Sequence, residues 1–430
     1  MNKKTLAALG AAAVLCVAAF AAVIVVKMLK DRGAGSTQEA LPANAFVVAR
    51  VDLERARRWS SWSAVRRLLQ GGGGEDAGAS LDRVQREWRG MVERCGFDPL
   101  DRIDRVVAAA DRGVLQGRSQ NDWLAHASGR ASQAEIRRCI ERLVQHAEGR
   151  LTPAQVDSRE VLTLLGPGDS ASPRSPQLHI RERTMMASPM AYMPTALGVA
   201  YGSAPRLGND QPVGRMLAKF NDASLAVVGD VAGFRAQNQQ TTAEVVDGLV
   251  RANPNIPDLT LARQVMTGGV GARTENGAAI VSIRAQMENG NQSRAFSAAV
   301  QALIQARRGD VLEAIAGVQG MTQLSRMLPG QNLDAEWRDI DAAFVAARAV
   351  VEQGVRTEVD GDTVVLTVTV NAAQVSAFEA GVRAVQRVVG SRGARGPARF
   401  PGGGVPVPGM PMPERTPLED RAPAPTPSPI

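Results

Sequence analysis

Apolar positions follow three rhythms along this chain. From Thr5 to Val26 they run unbroken and uncharged. As a helix this run would span about 33 Å, enough to cross a bilayer core of about 30 Å. Lys3 and Lys4 precede it, and Lys27, Lys30 and Arg32 follow. Residues 1–30 therefore read as a transmembrane signal-anchor, residues 31–40 as a short spacer, and the remainder as an extracytoplasmic part. Ala19-Phe20-Ala21 fits a signal-peptidase site, and cleavage there would make the protein secreted. The run continues past that site into Lys27, which favours retention. The excess of positive charge before the run places the N-terminus inside.

From Leu41 the rhythms shorten. Phe46 to Leu53 is rich in β-branched residues and reads as a strand. Glu54 to Leu69 has helical spacing, with Trp62, Val65 and Leu69 on one face, and ends at Gly71 to Gly74. A second helix covers Leu81 to Arg94, with Gly96 suited to its C′ position. In Gly96-Phe97-Asp98-Pro99, Asp98 suits an N-cap and Pro99 the first helical position. A strand from Ile103 to Ala110 follows.

A unit of two strands and a helix then recurs. Arg105–Ala110 and Trp123–Ser128 precede a helix at Gln133–Ala147. Val265–Thr274 and Ala278–Gln286, with a turn at Asn276-Gly277, precede a helix at Gln292–Arg307. Gly354–Val359 and Thr363–Val370, with a turn at Asp360-Gly361, precede a helix at Ala373–Val388. Asn-Gly and Asp-Gly are strong hairpin signals because two-residue turns need positive φ. Further strands are expected at Val161–Leu165, Ala196–Tyr201 and Leu225–Val228, and helices at Thr241–Arg251, Asp310–Met327 and Ala335–Gln353. The fold class is α+β, mainly antiparallel, with repeated ββα units and helices over one sheet face. Residues 41–210 and 211–390 read as an N-terminal and a C-terminal α+β domain. Residues 167–195, with five prolines, read as a flexible loop, and residues 391–430, rich in Pro and Gly, as a disordered tail.

Composition changes this picture in two places. Across 430 residues the net charge is +7, yet after the anchor Lys219 is the only lysine. The arginines are interleaved with Asp and Glu, so nucleic acid is not an expected partner. Of the three cysteines, Cys16 lies in the apolar run. Cys95 and Cys139 remain as a pair in a compartment where disulfides persist. Cys139 falls near the apolar stripe of Ile136, Ile140, Leu143 and Val144, and a Cys95–Cys139 disulfide is expected.

Candidate chemistry is sparse. The three histidines, His126, His146 and His179, lack metal-ligand spacing, and no nucleophile elbow or phosphate loop is present. Gly269-Val270-Gly271 lacks the third glycine of a dinucleotide fingerprint. Asp98, Asp101 and Asp104 recur every third residue, which suits capping better than a calcium loop. Met185, Met186, Met190 and Met193 lie near His179, a set that could hold Cu(I) or pack as core. No catalytic, cofactor or metal residue is therefore assigned. The helix bearing Arg55, Arg57, Arg58, Trp59, Trp62, Arg66 and Arg67 offers an interaction surface suited to an anionic partner.

Leu41-Pro42, the strand ending Val51-Asp52-Leu53, and Cys95-Gly96-Phe97-Asp98-Pro99 together resemble a family of uncharacterised bacterial exported or membrane-anchored proteins. The resemblance covers roughly residues 41–147. It implies an envelope location and a second cysteine in the helix after the hairpin, where Cys139 stands, and implies no reaction. The expected function is an inner-membrane-anchored, periplasm-facing protein with a binding or envelope-assembly role, membrane and envelope protein being its partners. The alternative is an extracytoplasmic hydrolase with a carboxylate-based site.

Overall fold

The computed structural model describes residues 41–393, apart from 60–61, 64–65, 67–78, 112–121 and 327–332. The expected anchor, the spacer, the Gly71–Gly74 break and residues 394–430 lie outside the described residues. Among the described residues no helix is long and apolar enough to cross a membrane.

The described residues build one antiparallel sheet of twelve strands. In chain order the first half holds β1 (Val47–Asp52), α1 (Leu53–Ala56), α2 (Ala79–Cys95), α3 (Pro99–Arg102), β2 (Ile103–Ala110), β3 (Trp123–Gly129), α4 (Gln133–His146), β4 (Arg150–Val156), β5 (Arg159–Leu165), β6 (Pro176–Arg181), β7 (Thr184–Pro189) and α5 (Met193–Tyr201). After α6 (Pro212–Ala218) come β8 (Leu225–Asp230), α7 (Val231–Gln237), α8 (Gln239–Ala252), a 3-10 turn, β9 (Thr267–Glu275), β10 (Ala278–Gln286), α9 (Gly290–Arg326), α10 (Asp334–Ala349), a π turn (Val350–Gly354), β11 (Val355–Asp360), β12 (Thr363–Val370) and α11 (Ala372–Gly393). The strand order is β11-β12-β10-β9-β8-β1-β2-β3-β7-β6-β5-β4.

The sheet has an internal two-fold relation. β1 and β8 pair with Ala49 opposite Val227. Asp52 N–H donates to the Ser224 carbonyl at 2.7 Å, and its counterpart Asp230 N–H donates to the Phe46 carbonyl at 2.9 Å. Each strand ends in an aspartate that caps a helix: Asp52 accepts from Arg55 N–H and Asp230 from Gly233 N–H. From this seam each half runs outward through a hairpin, β2–β3 or β9–β10, and then a second hairpin that returns alongside it. In that second hairpin Arg181 faces Thr184 in the first half and Asp360 faces Thr363 in the second. Thr184 pairs with Ser128 and Thr363 with Gln286. The first half adds the β4–β5 hairpin at its outer edge.

Helices cover both faces, not the one expected. Met186, Val161 and Leu124 cluster with Met193, Ala196 and Leu197 of α5. Ala187 and Leu162, one residue along their strands, cluster instead with Ile136, Ile140 and Val144 of α4. Successive side chains point to opposite faces, so α5 and α4 lie on opposite sides. Between α5 and the seam, α6 packs Val213, Met216 and Leu217 onto Val48, Val107 and Val228.

Six local expectations change. Residues 167–195 are not a flexible loop: β6 and β7 occupy their middle, and the many prolines fall largely at strand or helix ends. The Ala196–Tyr201 strand is helix α5, because Pro194 starts a helix and Leu197 and Val199 are buried without alternation. The Glu54–Leu69 helix is interrupted by a turn at 57–59 and is helical again at Trp62, Ser63 and Arg66, the other residues from 60 to 69 lying outside the described residues. The helices expected at 292–307 and 310–327 are one, because Gly309 does not interrupt α9. The last hairpin turns at Gly361-Asp362, with Gly361 at φ 64°, one residue later than expected. The Asn276-Gly277 turn forms as read, with both residues at positive φ. Helix α11 also extends to Gly393, past the expected start of the tail.

Candidate functional site

The expected cysteine pair is joined. Cys95 closes α2 and Cys139 lies in α4, with Cα atoms 4.1 Å apart and sulfurs at bonding distance. Gly96 ends α2 at φ +73°, and its N–H donates to the Val92 carbonyl at 2.9 Å.

The arginine and tryptophan surface is divided by its local chemistry. Arg55 donates to the Asn221 carbonyl and pairs with Asp52 at 3.5 Å. Trp59 Nε1 donates to Ser224 Oγ at 3.2 Å. Arg66 joins Asp98 at 3.3 Å and Asp101 at 2.5 Å. Among the described residues Arg58 pairs only with Glu54, one turn away, and keeps a side chain 74% exposed. Trp62 is half-buried, and Arg67 lies outside the described residues. The aspartates spaced every third residue are thus arginine acceptors: Asp104 takes Arg57 at 2.6 Å and Arg130 at 3.3 Å. Among the described residues no group of His, Cys, Asp and Glu could hold a metal.

Beneath this surface, β1 buries two charges side by side. Asp52 pairs with Arg105 at 3.2 Å as well as with Arg55. Arg50 donates to the Phe220 carbonyl and to Asn221 Oδ1 at 3.3 Å. Burial, and then the nearby Arg105 and Arg55 charges, lower the Arg50 pKa. The site clamps the 220–222 turn to the sheet centre.

The methionines of 185–193 do not converge. Met185 packs with α4 and Met186 with α5, on opposite faces, while Met193 is fully buried. His126 is buried within β3. His146 lies beside Arg94, 2.6 Å between Nε2 and Nη2.

His179 has a setting that sequence alone did not reveal. Its Nδ1 lies 2.9 Å from the Glu160 carbonyl, which can only accept, so Nδ1 carries the proton. Nε2 lies 2.8 Å from the Tyr201 hydroxyl. The Arg159 guanidinium stacks 3.7 Å above the Tyr201 ring and Arg181 sits 5.7 Å away. Hydrogen bonding and charge from Tyr201 raise the Arg181 pKa. The cluster is a polar lock between α5 and the β5–β6 strands. Its one sequence signal was that Tyr201 is one of only two tyrosines.

Beside the seam, Phe220 lies flat on β9. A Cβ on Gly269 would come 2.7 Å from Phe220 Cε2, and one on Gly271 2.3 Å from Cδ1. The glycines of Gly269-Val270-Gly271 thus make room for a ring, not for a phosphate. Lys219 next to it donates to Asp360 Oδ2 and Thr363 Oγ1, both at 2.9 Å. The groove lined by Lys219, Phe220, Arg273 and Arg284 has room for about 10 Å³, about one water.

No protein-family model matches the chain, and no curated protein matches it in sequence. Among the solved structures that the chain matches are crystal forms of the protein TP0453. Form III has a TM-score of 0.35 and 8% identity, covering 80% of this chain and 98% of that one. Form I has a TM-score of 0.34 and 10% identity, covering 81% and 98%. The likeness is too distant to bear on function.

Proposed function

We propose that the protein is an extracytoplasmic envelope component held at the inner membrane by residues 5–26, its folded part serving binding or assembly. The observation that carries this reading is the uncharged Thr5–Val26 run between basic flanks. The Cys95–Cys139 bond supports it, because such bonds persist outside the reducing cytoplasm. The binding surface is the strip from Arg55 to Arg66, on which Arg58 keeps a largely exposed side chain, and its expected partner is anionic. The acids nearest that strip are already committed to arginine, which favours binding over carboxylate hydrolysis.

A reporter active only outside the cytoplasm, fused after Ile430, should be active in cells. The intact mass of protein from the membrane fraction should include Met1 to Ala21. Recovery of the protein as a soluble species with a shortened start would overturn the anchor. For the surface, Arg58→Glu should weaken retention on anionic vesicles while leaving the fold intact, and unchanged retention would remove Arg58 from the binding strip.

A further inference from the structure

We infer that β11 is a docking edge for a second copy of this chain, which it joins antiparallel across a two-fold axis at Thr357. The sheet has two outer strands, β4 and β11. Strand edges carry unpaired backbone groups and are usually blunted. The β4 edge is blunted. Asp157 and Ser158 form its two-residue turn, both at positive φ, with Val156 opposite Arg159. In such a hairpin the pair flanking the turn is hydrogen-bonded, and bonded positions then alternate. That alternation turns position 153 away from β5, and position 153 is proline. The one N–H missing from the strand is thus missing on its outward side.

The β11 edge carries no such block. Its turn is Gly361-Asp362, with Asp360 opposite Thr363. The same alternation bonds 356, 358 and 360 to β12 and points the N–H and C=O groups of Val355, Thr357 and Val359 outward. The sequence Val355-Arg356-Thr357-Glu358-Val359 reads as its own complement. Centred on Thr357, an antiparallel partner puts Arg356 opposite Glu358 of the second copy, Glu358 opposite its Arg356, and Val355 opposite its Val359. Thr357 faces Thr357 as a hydrogen-bonded pair, so the outward groups of both strands bond each other. Arg356 and Glu358 then form the non-bonded pairs, where side chains approach most closely.

Neighbouring registers fail on charge. A shift of the axis to residue 356 sets Arg356 against Arg356, and a shift to 358 sets Glu358 against Glu358. Like charges directly opposite are destabilising. Both side chains are exposed, and neither has an ion pair or hydrogen bond among the described residues. Val359 is also 37% exposed, which leaves apolar surface for its partner Val355 to cover. The pairing depends on this edge alone, not on where the chain resides.

The test uses sedimentation velocity on the full-length protein in detergent. The wild type should dimerise. Arg356→Glu alone and Glu358→Arg alone should each weaken self-association by about ten-fold or more. Mixing the two single variants should restore a heterodimer, because each strand then meets opposite charges. The double reversal R356E/E358R should restore the homodimer. Thr357→Pro removes an outward N–H without touching the β12 ladder and should abolish the dimer while the circular dichroism spectrum stays unchanged. A monomeric wild type, or a dimer indifferent to both reversals, would overturn the assignment. If Thr357→Pro changes the spectrum, the charge-reversal mixture decides alone.

Discussion

At equivalent positions on either side of the seam, β1 carries Arg50 and β8 carries Val228, and both are buried. The first half closes its end of the seam with ions: Asp52 takes Arg55 and Arg105, and Arg50 reaches the 220–221 turn. The second half uses packing: Val228 sits in the α6 core, and the counterpart of Arg105 is the fully buried Thr267. One backbone arrangement is therefore stabilised by two different means. The backbone ladder sets the arrangement, and side chains need only satisfy or fill it. The halves differ also in that the first is cross-linked and the second is not.

The largest way to break the comparison is at the cross-link. Replacing Cys95 and Cys139 with serine frees a loop of 44 residues. The loss should be about 4 kcal/mol by chain entropy, measured by urea unfolding with and without reductant. Reductant should then have no further effect on the variant, and an unchanged unfolding midpoint would refute the staple.

Next is the charged side of the seam. Arg50→Ala removes the buried guanidinium that bonds the Phe220 carbonyl and Asn221 Oδ1 and should cost about 3 kcal/mol. Val228→Ala, at the equivalent position, should cost about 2 kcal/mol through a cavity. If the two costs are reversed, ions are not what holds the first half. Gly271→Ala drives a methyl into the Phe220 ring and should cost about 2 kcal/mol. Pairing it with Phe220→Leu should recover part of that loss, a double-mutant cycle that reports direct contact.

Smaller effects sharpen the picture. Ser132 and Glu135 form a reciprocal cap at the start of α4, with Ser132 N–H donating to Glu135 Oε2 at 2.8 Å. Ser132→Ala should cost about 1 kcal/mol. The hydrogen bonds from Ser132 lower the Glu135 pKa. A lowered carboxyl favours the folded state above the unfolded pKa, so this contribution is lost as pH falls through the lowered value. At the other end of the scale, burial, then the Asp111 and Asp122 charges, push the Tyr192 pKa from 10.0 up to about 12. The neutral phenol belongs to the folded state, so this contribution is intact below pH 10 and disappears as pH rises towards 12. Ultraviolet titration should show a late phenolate step that Tyr192→Phe removes.

Much of the fold was legible in the chain. β1, β2, β5, β8, β9, β10, β11 and β12 contain β-branched residues, and the Asn276-Gly277 turn is where its dipeptide requires. What misled was local composition outvoted by partners. β6 and β7 contain Pro176 and Pro189, yet these are the first and last residues of one hairpin and face each other at its open end, so neither removes an interior ladder bond. In α5 the small and apolar residues are buried nearly all round, leaving no period to read. Of the candidate site, Cys95 and Cys139 were legible because only two cysteines lay beyond the apolar run. The His179–Tyr201–Arg159 lock was not, because its members come from three elements that only the sheet brings together.

The seam also sets a clock. β1 is the first strand synthesised, but β8, its neighbour on the far side, follows only after every other strand of the first half. At synthesis rates of about 5–20 residues per second, that interval is on the order of ten to thirty-five seconds. By its end the newborn chain holds seven strands with β1 as an uncovered border, and until then Arg50 lacks the turn it will grip. Val228 and Phe220 arrive together at the end of that wait, so the centre closes midway through synthesis and the second half is then laid down from the seam outward, the β11 rim and its neighbour β12 coming last.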